Sequence, residues 1–136
     1  KRALDQIRMV IAQPGLNVKM AGSYSGILTG KTGKTHQSIE DIAVFRAMPH
    51  VVTIAPADVL ELRQAMAAMM EDDRPTYLRL TRDPSPVIVP DDYRFQIGKA
   101  VLLRDGADIG IVSTGVQTVR AVAASDLLAE HGVEQS

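Results

Sequence analysis

The chain has 136 residues and near-balanced charge, 15 Lys and Arg against 16 Asp and Glu, for a net charge of −1. That balance argues against a nucleic-acid surface or an anionic-membrane tether. Without cysteine there are no disulfides and no thiol catalysis, which fits a reducing, cytoplasmic setting, and no apolar run is long enough to span a bilayer. Apolar residues make up 46% but aromatics only 4%, so the expected core is aliphatic and methionine-rich.

Leu4, Ile7 and Ile11 recur at helical spacing, and Pro14-Gly15 closes that helix. The pattern is already running at Lys1, and the chain stops at Ser136 soon after Gly132. Both ends are therefore expected to be cut from something longer. Asn17–Ala21 reads as a short buried strand, and Gly26, Gly30 and Gly33 loosen the stretch from Ser25 to Lys34. A helix is predicted from about Ser38 to Met48, with Ser38 as cap, Glu40 and Asp41 in the first turn and Pro49 as stop. His50–Ala55 is a β-branched run and reads as a strand. Pro56-Ala57-Asp58 starts another helix, Asp58 and Glu61 form a capping-box pattern, and Leu62, Met66, Met69 and Met70 give it a buried stripe. After the turn Asp72–Pro75 comes a strand at Thr76–Leu80. Alternating strands and helices imply an α/β fold with an open, mostly parallel sheet and flanking helices.

Arg82–Gln96 holds three prolines and reads as a linker. A second α/β unit is expected from Ile97. Lys99–Arg104 and Asp108–Thr114 flank a hairpin turn at Asp105-Gly106-Ala107. A helix after Gly115 sets Val119, Val122, Ala123 and Leu127 on one face and ends at Gly132.

His36 stands where the glycine loop meets the helix. Its near-neutral pKa suits a proton shuttle or an oxyanion donor, and the position equally suits a residue helping to start the helix. The glycines match no phosphate-loop spacing, and a mobile surface loop is the simpler reading, although Lys31 and Lys34 would favour an anion. Arg82 follows the carboxyl end of a parallel strand, where ligands of open α/β sheets bind. A guanidinium there suits a phosphate, or else an interface salt bridge. Arg79, between Leu78 and Leu80, could be structural. Glu40 and Asp41 are neighbours that do not face each other, so they read as helix-dipole residues or subunit contacts. The three histidines are too scattered to ligate a metal.

Several ordered motifs resemble the transketolase family. Leu4-Asp5-Gln6-Ile7-Arg8 is similar to one family helix. The most specific run is Gly33-x-Thr35-His36-Gln37, Glu40-Asp41, Arg46-Ala47-x-Pro49 and Pro56-Ala57-Asp58. Pro75–Arg82 resembles the end of the family's pyrimidine-binding domain. Gly98-Lys99-Ala100, Gly106-Ala107-Asp108 and Thr114-Gly115 resemble the start of its carboxy-terminal domain. The resemblance divides the chain into part of a pyrimidine-binding domain (1–82), a linker (83–96) and the start of a carboxy-terminal domain (97–136).

The resemblance implies an enzyme that uses thiamine diphosphate and Mg2+ to move a two-carbon ketol unit between sugar phosphates. The residue matching His36 is then catalytic, lying over the thiazolium, and that matching Arg82 binds the substrate phosphate. Tyr24 stands where the family often has a histidine near the phosphate, and Thr32 where it often has an aspartate that bonds a substrate hydroxyl. These two departures shift the expectation away from the usual pentose and heptose phosphates, toward a sugar of different branching or stereochemistry. The family's Gly-Asp-Gly…Asn pattern for diphosphate and metal is absent from the sequence. The cofactor is therefore expected to be held mainly by an amino-terminal, diphosphate-binding subunit or domain, in a homo- or hetero-oligomer. Two other readings are a 1-deoxy-D-xylulose-5-phosphate synthase, similar around Leu60–Met66 but usually with a second histidine at Gln37, and a catalytically silent assembly subunit.

Overall fold

The computed structural model describes residues 2–136, so Lys1, where the helical pattern was already running, lies outside the described residues. The residues group into two compact units, one of residues up to Ala55 with Met66–Pro84, the other of Pro56–Ala65 with Ser85–Ser136.

The first unit is built on a three-stranded parallel sheet. Its strands are β1 (Lys19–Gly22), β2 (Val52–Ile54) and β3 (Thr76–Arg79), in the spatial order β1-β3-β2. Thr76 faces Lys19 on one side and Val52 on the other, so β3 is central and buried through Leu78. Parallel strands need crossovers, and the helices predicted between them are present. They are α2 (Asp41–Arg46) and α3 (Val59–Glu71). The core gathers Ala12, Phe45, Met48 and Tyr77, with Leu4, Ile7, Met20, Val44 and Val51 packed around it.

The opening helix departs from the expected form. α1 covers only Leu4–Gln6, and Ile7–Ala12 continues it as a π-helical turn. Gln13 N–H bonds Arg8 O at 2.9 Å and Leu16 N–H bonds Ile11 O at 2.9 Å, each five residues back. The wider turn brings Ala12 into the core, where regular spacing pointed to Ile11. α2 is shorter than predicted. Ser38 does not cap it, because the helix starts only at Asp41 and Glu40 takes the N-cap position; the Ser38 carbonyl accepts from Gly26 N–H in the loop. The methionine stripe of α3 is also corrected. Met69 is buried, but Met66 and Met70 are 49% and 68% exposed.

In the second unit, the start of α3 matches the capping pattern. Glu61 N–H donates to Asp58 Oδ1 at 2.9 Å, while Glu61 Oε2 accepts from Ala57 N–H at 2.6 Å. The segment after Pro84 has no strand or helix up to residue 116, yet its first part is tied down. Asp58 Oδ2 accepts from Ile88 and Val89 N–H, Tyr93 OH donates to Glu61, and Gln64 bonds both Tyr93 O and Phe95 N–H. Burial raises the Asp58 pKa, but bonds from Glu61, Ile88, Val89 and Leu60 N–H outweigh it and leave the group below the ordinary carboxylate value. Burial, then Glu61, pushes the Tyr93 phenol up.

The hairpin expected at residues 99–114 does not form. Asp108 and Ile109 N–H instead bond Glu134 O, and Ile109 bridges Gln135 in parallel. Alternation supplies a face but no partner strand, and here the last residues of the chain take that place. A side chain at Gly106 would overlap the Gln135 backbone, so glycine is needed for that approach. In the last helix, α4 (Gln117–Glu130), Ser125 is buried, whereas Leu127, expected on the packed face, is 60% exposed. No helix among the described residues is long and apolar enough to cross a membrane.

Candidate active site

All three strands run the same way, so their carboxyl ends share one edge of the sheet. β1 ends at Gly22 and opens into the glycine loop; β3 ends at Arg79 and leads to Arg82. Two backbone bonds from neighbouring residues hold this edge together. Ser25 N–H donates to Leu80 O at 2.9 Å, and Gly26 N–H donates to Ser38 O at 2.7 Å. His36 lies two residues before Ser38 and Arg82 two residues after Leu80. Both therefore sit on segments pinned to the same point of the loop.

Tyr24 and Arg82 are brought into contact. The guanidinium carbon lies 5.8 Å from the ring centroid, within cation–π range. Tyr24 has φ 58°, an uncommon conformation for an aromatic residue, and its ring is 54% exposed. Arg82 is exposed as well.

His36 closes a short 3-10 turn, Lys34–His36, that follows another at Gly30–Thr32. Gly33, with φ 69°, joins the two, and His36 N–H bonds its carbonyl at 3.0 Å. His36 is exposed, and Thr35 Oγ1 lies 2.9 Å from its Nδ1, while its Nε2 has no hydrogen-bond partner among the described residues. Thr29, fully buried, links the turns. Its hydroxyl reaches His36 O at 3.5 Å, and its carbonyl accepts from Thr32 Oγ1 at 3.3 Å. Thr32 itself is exposed.

Sequence reasoning missed what lies beneath. Asp41, read as a helix-dipole residue, is buried. Its Oδ2 accepts from Tyr77 OH at 2.8 Å and from Arg79 Nε at 2.9 Å, while its Oδ1 is buried without a hydrogen-bond partner among the described residues. Tyr77 stacks on Phe45 with ring centroids 3.8 Å apart, and Ser25 Oγ lies 3.5 Å from its hydroxyl. Burial pushes the Tyr77 phenol above its ordinary pKa. Gly22 makes room for it, since a Cβ there would fall 2.4 Å from Tyr77 OH. One signal was available: Arg79 ends a central strand, and a charge in such a place needs a partner.

The exposed groups are an imidazole, a guanidinium, a phenol and a hydroxyl. Such donors suit a polyol phosphate better than a magnesium ion, which takes carboxylate and carbonyl oxygens. Among the described residues no three His, Asp or Glu side chains come together to hold a metal.

A family model described as the transketolase pyrimidine-binding domain matches residues 1–86. The chain belongs to the transketolase family. It is 42% identical to a transketolase family protein of Sinorhizobium fredii, over 98% of this chain and 39% of that protein. It is 39% identical to the 6-deoxy-6-sulfo-D-fructose transketolase subunit of a Clostridium species, over 98% of this chain and 41% of that one. A solved split-gene transketolase, an inactive β4 tetramer, superposes with a TM-score of 0.88 at 34% identity, covering 98% of this chain and 43% of its own. The chain thus spans about two-fifths of the length of these relatives.

Proposed function

We propose that this chain is part of a transketolase-like transferase that moves a two-carbon ketol unit between sugar phosphates, at a site completed by another chain. The observation that carries the reading is the pairing of two exposed groups on segments pinned to Ser25 and Gly26. One is His36, with a free Nε2; the other is Arg82, stacked on Tyr24. In this reading His36 hydrogen-bonds the reacting oxygens of the sugar and carries a proton at Nε2. Arg82 grips the phosphate, with Tyr24 alongside, and Thr32 bonds a hydroxyl. Thiamine diphosphate, when bound, supplies the electron sink for the carbon chemistry. Its diphosphate and Mg2+ fall to an amino-terminal, diphosphate-binding subunit or domain, since the donors on this chain do not suit a metal. Residues 1–82 then belong to the pyrimidine-binding domain, 83–96 to the connection and 97–136 to the start of the carboxy-terminal domain, in an oligomer working in the cytoplasm. The names of the relatives, several of them subunits acting on less usual sugars, agree with a split enzyme and with the replacements at Tyr24 and Thr32.

The test is the parent enzyme assembled with its diphosphate-binding partner and assayed for ketol transfer. His36→Ala should lower kcat about a hundredfold or more with assembly intact. Arg82→Ala should raise KM about tenfold for phosphorylated substrates and little for unphosphorylated ones. Carbon dioxide release from pyruvate would replace this reading by the synthase. No turnover with any phosphorylated ketose would leave a silent assembly subunit.

A further inference from the structure

We infer that Asp41 is a positioning residue for ketol transfer, tying the segment that carries His36 to the strand that leads to Arg82 and so fixing the distance between them. The inference rests on the ketol-transfer reading above. Asp41 stands five residues after His36, and its partner Arg79 three residues before Arg82. One carboxylate oxygen therefore joins the roots of both segments, through a charge-assisted bond from Arg79 Nε and a second bond from Tyr77 OH.

Stability alone gives a poor reason for this arrangement. A buried ion pair often contributes no more than an apolar replacement of similar volume, and here Oδ1 stays buried and unpartnered as well. What the pair does supply is direction. Arg79 and Tyr77 lie on the central strand, the most constrained part of the unit, and they approach Asp41 from one side. The loop is shaped around them. A Cβ on Gly22 would overlap the Tyr77 hydroxyl, and one on Gly26 would lie 3.2 Å from the Arg79 guanidinium. Phe45, four residues along α2 from Asp41, stacks on Tyr77 and locks the same helix to the same strand. The backbone bonds of Ser25 and Gly26 to Leu80 and Ser38 then carry that placement to the residues facing the substrate.

The experiment uses the assembled parent enzyme with thiamine diphosphate. Asp41→Asn keeps the volume but removes the charge that holds Arg79. It should lower kcat about tenfold, with substrate KM changing less than kcat, because a small misplacement of reacting groups is costly. Amide hydrogen exchange at His36 and Gly26, which needs no turnover, should speed up in the same variant. Arg79→Gln should behave alike, and the double variant should be no worse than either single one. If Asp41→Asn fails to fold, Tyr77→Phe, which keeps the ring stack and the ion pair, should show a smaller loss of kcat with the same rise in exchange. A kcat within twofold of the unsubstituted enzyme overturns the inference. So does a fall in kcat with exchange at His36 and Gly26 unchanged. An unsubstituted enzyme that transfers no ketol unit overturns the parent reading instead, a result the variants do not mimic.

Discussion

Asp41 and Asp58 stand at the starts of two helices, and both are buried, yet they are held in opposite ways. Asp58 receives backbone N–H groups on both oxygens: Glu61 on one, Ile88 and Val89 on the other. Asp41 receives only side chains, both on one oxygen, and leaves the other without a partner. The difference separates two uses of the same residue. A carboxylate satisfied by the main chain caps a helix and fastens a strap to it. A carboxylate joined to a tyrosine and an arginine, 36 and 38 residues away, aligns distant parts of a site.

The comparison can be broken at three points. The largest effect is expected for Gly22→Ala. The new Cβ would lie 2.4 Å from Tyr77 OH, and that ring is fixed by Phe45 and Asp41, so about 3 kcal/mol of stability should be lost together with the Asp41 bond. A urea midpoint unchanged from the parent would show that the ring moves freely and that the Asp41 side is not held. Asp58→Ala comes next. Losing the cap and stranding the N–H groups of Ile88 and Val89 should cost about 2 kcal/mol, read as a lower melting temperature, with kcat unaffected. A large loss of kcat there would erase the distinction between the two aspartates.

The smallest effect belongs to Asp72, an acid on the turn before β3. Bonds from Arg74 hold its pKa down to about 2 from an ordinary 3.8. A lowered folded-state pKa means stability that is complete above the ordinary value and is lost as pH falls from about 4 toward 2. Arg74 is largely exposed, so the loss should stay under about 1 kcal/mol. Asp72→Asn should flatten the acid limb of a stability–pH curve in that window, and an unchanged limb would remove Asp72 from it.

How far the sequence reaches follows the same division. The start of α3 was legible because Asp58 and Glu61 are three residues apart and bond each other's neighbourhood locally. The parallel sheet was legible because its strands are short apolar runs separated by helical spacing. His36 and Arg82 could be singled out from their local setting, whereas Tyr24 and Thr32 were singled out only through the family resemblance. Asp41 was not read as part of a site, because its partners are set by tertiary pairing of β3 with β1 and by the crossing of α2. The linker from Arg82 to Gln96 looked unattached for a similar reason. Its anchors, Asp58, Glu61 and Gln64, lie some thirty residues upstream. Met66 and Met70 were assigned to a core by periodicity, which marks a stripe as apolar but does not say how much of it is covered.

The wide turn at Ile7–Ala12 works as a phase shifter. It inserts one residue beyond the regular repeat between Ile7 and Ala12, both of which touch the same core. Removing a single residue from within it would restore the ordinary four-residue repeat and leave Leu4 and Ile7 on the face they already bury. Adding one more would swing everything before it by about 100° and point Leu4 to water, so this stretch should accept a deletion more readily than an insertion.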